Sequence, residues 1–386
     1  MTPNGVMIQR KAPGSIFFRE HPVTPGVGQF VNHTWVDGIQ PGRGKSMRLS
    51  GLQIVVIQSV AFACTAMLCE ETGSELPGPV TLVQVDSHHQ RTLLVGTATA
   101  QLFRSRDAGD TWSPVRFPGA LRSTLHAMLI DPTTADVYLV AVSSETPQYA
   151  GVFRTVDEGA TWQRLRDMEQ KQVWALAFWK ADARVVAAGA QDGVFLTSDG
   201  GDTWKRLASP GAPWPQPVVS LAFDPVDRKI LYAGTPHLAW KTADGGATWG
   251  RIARGMKEDS DIFTIDVDPG RRERLFAGAC SGIYSSLNGG GTWSSLERAV
   301  GAADRTYVIA RAPDRRNLMF AGTSGGLIQS PDGGATWHRL TAETVRSIAF
   351  DPDDPRRIFV ASDQGFLRSE DGGVHFRGIG DRLVKR

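Results

Sequence analysis

Apolar runs of about five residues, separated by polar turns, recur along the chain from about residue 80 to its end. The fourth unit shows the pattern: VVSLAF at 218–223, the polar DPVDRK, ILYAGT at 230–235, LAWKT at 238–242 and WGRIA at 249–253. Runs this short, bounded by Gly, Pro and Asp, predict β-strands. LMFAGT (318–323) and RIFVAS (357–362) repeat the second run in later units. Two columns alternate within the first run of each unit. Phe178, Phe223, Val267 and Phe350 are bulky, whereas Ala177, Ala222, Ala310 and Ala349 are small. Apolar residues in both columns predict sheets buried on both faces, with large packed against small. Asp266 breaks the small column; the expectation is a buried polar group with a partner, the alternative a channel-lining carboxylate.

An eight-residue frame stands between the third and fourth runs. It reads SPDGGATW from Ser330, and returns as SRDAGDTW from Ser105, TVDEGATW from Thr155, TSDGGDTW from Thr197, TADGGATW from Thr242 and SLNGGGTW from Ser286. SEDGGVHF, from Ser369, is a worn seventh copy. The acidic position (Asp107, Asp157, Asp199, Asp244, Asp332, Asp371; Asn288 in the fifth copy) can accept backbone N–H groups just ahead of it. The Gly two residues on suits a positive φ. Thr begins a strand, and Trp anchors the turn from beneath. Six of the eleven Trp residues occupy this position.

The frame resembles the Asp-box, or bacterial neuraminidase repeat, found in sialidases, sortilin-type ectodomains, xyloglucanase-type hydrolases and photosystem II assembly factors. In those families the box is a structural turn on the side of a β-propeller away from the ligand. The resemblance therefore implies a fold and not a reaction. A calcium-loop reading fails because the D-x-[DN]-x-[DN]-G series is missing. Successive acidic positions lie 39 to 50 residues apart, the period of propeller blades. The fold expected is all-β: a seven-bladed β-propeller of four-stranded antiparallel blades over 79–386. Eight blades is the alternative, should residues 29–39 supply strands. Val80–Val85 is expected beside the final unit at the ring closure, with FRGIGDRL completing the last sheet.

Residues 1–46 are rich in Gly and Pro and read as disordered or untranslated. In 47–78, Arg48 precedes the apolar run LQIVVIQSVAFACTAML, and Ala61-Phe62-Ala63 has the form of a signal-peptidase site. Export to the periplasm or exterior is the expectation. A membrane anchor or a cytoplasmic protein is the alternative, since Gln53, Gln58 and Ser59 interrupt the run. Membrane contact is expected only through this segment.

Composition narrows the function. A net charge of +2 on 386 residues gives no support for a nucleic-acid partner. Cys64, Cys69 and Cys280 form neither a disulfide framework nor a zinc spacing, and no metal or cofactor is expected. Arg/Lys pairs (Arg228-Lys229, Arg271-Arg272, Arg315-Arg316, Arg356-Arg357) recur in the first turn of four units. They read as a basic ring blunted by neighbouring acids, or as solvated turns.

Candidate contacts lie on the opposite face. One group is Glu145, Gln148 and Tyr149 in the long inner loop of the second unit. Another is Trp214 among prolines in SPGAPWPQP. A third is a mixed column near the start of the first strands: His126, Trp174, Val219, Phe263, Tyr307 and Arg346. It reads either as a polar-ligand site at a channel mouth or as inter-blade packing. No catalytic residues are assigned. Glycosidases need two placed carboxylates, and nothing pairs Glu145, Asp192, Asp261 and Asp363. The Arg-Ile-Pro start of sialidases is missing too. The expectation is a non-catalytic exported propeller that binds a protein complex, as an assembly or scaffold factor. A sialidase-like glycoside hydrolase or a glycan binder is the alternative.

Overall fold

The computed structural model describes residues 76, 78–119, 122–207, 217–258, 260–296 and 304–378. They form seven four-stranded antiparallel sheets, each built from one continuous stretch of chain in the order 1-2-3-4. Blade 1 has strands Val80–Val85, Leu93–Thr97, Leu102–Ser105 and Ser113–Val115. Blade 4 has Ser220–Phe223, Leu231–Gly234, Ala239–Thr242 and Gly250–Arg251. Blade 7 has Val345–Phe350, Ile358–Ser362, Gly365–Ser369 and Arg377–Gly378. The expected seven-bladed propeller is thus the fold. Residues 29–39, and the rest of the N-terminal stretch with its signal-like run, lie outside the described residues.

The first strand of each blade contacts the first strand of both neighbours, and Val80–Val85 lies against Val345–Phe350 to close the ring. Closure is by side-chain packing: Trp112 meets Phe366 edge-on at 5.2 Å, and Arg368 Nη1 donates to Ala108 O at 2.8 Å. A separate hydrophobic core fills each of the seven seams. The alternating columns explain this directly. Neighbouring residues on a strand point to opposite faces. Ala177 therefore enters the core that holds Phe223 of the next blade, and Phe178 the core of the seam before.

Seven turns carry the repeated frame, and all seven share one geometry. In the sixth, Thr336 N and Oγ1 donate to Asp332 at 2.8 and 2.6 Å, and Ser330 Oγ accepts Gly334 N–H at 2.7 Å. Gly334 has φ +92°. Asn288 accepts from Thr292 N at 2.8 Å and donates to Thr292 Oγ1, so the fifth turn keeps its shape. In six blades a backbone N–H of this turn donates to a carbonyl between strands one and two, as Gly245 N does to Lys229 O, and in blade 3 Gly200 N donates to Arg184 O near the start of strand two. These two sets of turns therefore share a face.

A cation reaches across six seams to a carbonyl in the next repeated turn. Arg104, Arg154, Lys241 and Arg368 do so from third strands. Blades 5 and 6 carry Ser285 and Gln329 at that position, and there Arg274 and Arg315 reach across instead. The basic pairs of the first turns are largely absorbed by acids. Arg272 meets Asp224 at 3.1 Å, Arg356 meets Asp354 at 3.0 Å, and Arg357 meets Asp351 at 2.6 Å.

Candidate functional site

The first strands begin on the face opposite the repeated turns. Six of them carry a bulge at one position. Pairing slips between Val80 and Leu82, Leu125 and Ala127, Val173 and Ala175, Ile262 and Thr264, Thr306 and Val308, and Val345 and Ser347. The skipped residues are Thr81, His126, Trp174, Phe263, Tyr307 and Arg346. Val219 holds the same place in blade 4, one residue ahead of its first strand. A bulge leaves its extra residue outside the ladder and re-aims its side chain. Here all seven are aimed into one cavity of about 450 Å³, which they line together with Leu82, Ala98, Thr124 and Leu125.

Close packing fixes the bulge. A Cβ on Gly234 would lie 2.5 Å from Ile262 O, and one on Gly322 would lie 2.7 Å from Val345 O. The second strand of one blade thus lets the next blade's first strand come close at its start.

The side chains around the cavity touch one another. His126 and Trp174 meet edge-on with centroids 6.2 Å apart, and Phe263 and Tyr307 meet at 5.4 Å. The Arg346 guanidinium lies over the Tyr307 ring at 4.8 Å while the residue stays exposed. His126 Nε2 is 2.6 Å from Ser143 Oγ. Burial pushes the His126 imidazole down to about 4, so it is neutral at pH 7. Among the described residues, Arg346 is the one cationic side chain in the lining, and none of the lining residues carries a carboxylate. Chemically the cavity is an aromatic floor with a single cation at its rim.

Glu145, Gln148 and Tyr149 do not line this cavity. They lie in the loop between strands two and three of blade 2, where Pro147–Tyr149 forms a 3₁₀ turn. Glu145 is paired with Arg122 at 3.1 Å, and Gln148 O accepts from Arg164. Trp214 lies outside the described residues. Of the other carboxylates, Asp192 is tied to Lys171 at 3.0 Å. Asp266 has the expected partner: its Oδ2 accepts from Arg311 Nε of the next blade. Thr81 was not singled out in the sequence. Aligning VTLVQV with the other first strands on their Val or Ile residues places it in the column.

A family model for sortilin (neurotensin receptor 3) matches residues 150–263, from the start of the third strand of blade 2 into the first strand of blade 5. No curated protein sequence matches the chain. Among solved structures, the GH74 xyloglucanase from Xanthomonas campestris is similar at a TM-score of 0.62 and 19% identity, over 76% of this chain and 52% of its own. YCF48 from Cyanidioschyzon merolae is similar at 0.57 and 16%, over 77% of this chain and 98% of its own. A YCF48 structure with a bound D1 peptide is similar at 0.57 and 17%, over 78% and 95%. The likeness is one of fold. The chain spans about half the length of the GH74 enzymes it matches and nearly all of YCF48.

Proposed function

We propose that this protein is a non-catalytic, exported propeller that binds a segment of a protein partner at the mouth of its central channel. The observation that carries this reading is the convergence of six bulge residues and Val219 on one cavity whose described lining holds aromatic rings and Arg346 but no carboxylate. Such a lining accepts an apolar side chain against Trp174, Phe263 and Tyr307, and an acidic side chain or a chain-terminal carboxylate at Arg346. Among the described residues it offers no pair of carboxylates for glycoside hydrolysis. YCF48, a neighbour matched over nearly its whole length, has been captured with a peptide, which supports a protein ligand. Glu145, Gln148 and Tyr149, on a loop of the same face, are proposed as an outer contact.

Glycan binding is the second reading. It is favoured by the aromatic rings, on which a sugar can stack, and by the GH74 neighbours. Export rests on the signal-like run at 47–63 and on neighbours such as the extracellular domain of a two-component system from B. thetaiotaomicron.

The test is affinity purification of the tagged full-length protein from its native cell envelope, beside Arg346→Ala and Trp174→Ala variants. A stoichiometric protein partner held by the parent and lost from both variants is the expected result. Recovery of the parent alone, with glycan binding or hydrolysis that the variants lose, would overturn the reading.

A further inference from the structure

On the opposite face, at the seam between blades 1 and 2, the first turn of blade 1 meets the first turn of blade 2 and the second repeated turn. His89 Nε2 lies 3.6 Å from Asp136 Oδ1 and 3.6 Å from Glu158 Oε1. The three ligating atoms fall within 4.8 Å of one another. The other ring nitrogen, Nδ1, is 3.1 Å from Asp86 Oδ2. Asp86 is buried and fixed by Tyr138 Oη at 2.7 Å and His88 N at 2.9 Å. A carboxylate on Nδ1 holds that nitrogen as the donor and leaves the Nε2 lone pair pointing outward. Here Nε2 faces two carboxylate oxygens, neither of which can donate. Asp136 Oδ1 is itself buried and receives no hydrogen bond.

The second oxygen of Glu158 is held at 2.6 Å by Arg106 and at 3.2 Å by Arg104, so Oε1 is left aimed at the imidazole. Around the point of convergence three carboxylates (Asp86, Asp136, Glu158) face two guanidiniums. Asp136 and Glu158 also line an open cleft of about 500 Å³, which supplies an entry path. Glu158 stands at φ +55°, where five other repeated turns place a glycine.

We propose that His89, Asp136 and Glu158 bind a divalent transition-metal ion, with zinc the best chemical match. One imidazole and two carboxylates, spaced a little wider than zinc requires, complete three tetrahedral positions and leave a fourth for water. Asp86 and Tyr138 orient the imidazole from behind. The ion clips blade 1 to blade 2, beside the seam that closes the ring.

The experiment is calorimetric titration of the full chain, carrying a non-histidine tag, with zinc at pH 7.5. Thermal melts accompany it with zinc, calcium or magnesium. One zinc per chain and a melting temperature raised by several degrees are expected for the parent, with little response to magnesium or calcium. Both effects disappear in His89→Gln and in Asp136→Asn. The second variant leaves the Asp86–His89–Tyr138 contacts intact and carries the test if the first does not fold. Zinc-edge absorption on the loaded parent would show one nitrogen and two carboxylate oxygens. Unchanged melts with zinc, as a simple proton between His89 and the carboxylates would give, overturn the proposal. Equal zinc binding in both variants does the same.

Discussion

Arg311 Nε lies 2.6 Å from Asp266 Oδ2, in a slot that Ala and a bulky apolar residue fill at other seams. Ala177 meets the core of Phe223 there, Ala222 that of Val267, and Ala349 that of Val85. The Arg311 guanidinium also lies over Phe276 at 5.1 Å and touches Asp268 at 3.2 Å. Burial pushes the Asp266 carboxyl up, against the pull of Arg311. An ion pair in an apolar slot is held in register by mutual need: either member alone is a buried charge. Asp266→Ala is therefore expected to cost about 2–3 kcal/mol, less than a fully orphaned charge because Asp268 remains. The double variant Asp266→Ala/Arg311→Phe rebuilds the slot of the other seams and should recover most of that loss. Urea unfolding of the four members of the cycle checks it. A double variant no more stable than Asp266→Ala would contradict the equivalence of the slots.

The cavity residues make a different prediction, because their exposed ends hold little of the fold together. Arg346→Ala and Trp174→Ala should leave the melting temperature within a few degrees of the parent and weaken partner binding by tenfold or more. Val219→Ala, on the same ring but without a polar or aromatic group, should change binding far less. Equal losses at all three positions would mean that the column packs blades and does not read a ligand.

The contrast between these two places shows what a linear reading can reach. The repeated turns and the alternating Ala and Phe columns are local periodicities, and they were enough for blade number, strand order and the shared face of the turns. The column from His126 to Arg346 was also legible by alignment, but its cause was not. A bulge depends on how closely the next blade's strand approaches Gly234 or Gly322, a contact between residues far apart in sequence. Thr81 is inconspicuous in VTLVQV because it is a small residue in a column that elsewhere carries mostly rings and Arg346. Arg311 stood in plain sight at a Phe position, and only the seam supplied Asp266 as its partner. The cations that reach the next repeated turn were hidden for the same reason. Two sources, third strands in blades 1, 2, 4 and 7 and first turns in blades 5 and 6, serve one purpose with no common motif.

Ring closure leads to a prediction about where the molecule opens first. Arg368 of blade 7 reaches Asp110 of blade 1 at 2.8 Å as well as Ala108 O, and no covalent or strand-sharing link crosses this seam among the described residues. Arg368→Ala removes those bonds and should cost about 1 kcal/mol, since its carboxylate partner is half exposed. Hydrogen exchange should then accelerate in the strands of blades 1 and 7 before blades 3 and 5. Uniform acceleration around the ring would show that the seams open together.

Acid should unfold the ring through the repeated turns. Hydrogen bonds from Thr155 and Thr161 hold Asp157 at about 2, and Thr248 and Thr336 do the same for Asp244 and Asp332. The backbone N–H of His375 holds Asp371 lower still. A carboxyl depressed in the fold contributes stability that is complete above its unfolded pKa, near 4, and is lost as pH falls through its folded value. These turns therefore favour the native state at neutral pH and stop doing so between about pH 4 and pH 2. His126 adds a second, higher window. Held at about 4 by burial, it stays neutral while the unfolded chain takes up a proton near 6.5, so stability declines as pH drops from 6.5 towards 4. Melting curves from pH 8 to pH 2 should show a shallow fall beginning near 6.5 and a steep one below 4. His126→Phe should remove the first and leave the second. Asn288→Asp adds one more depressed carboxyl, and should raise the melting temperature at pH 7 while steepening the acid fall. A variant with the same acid slope as the parent would mean that the fifth turn takes no share in acid unfolding.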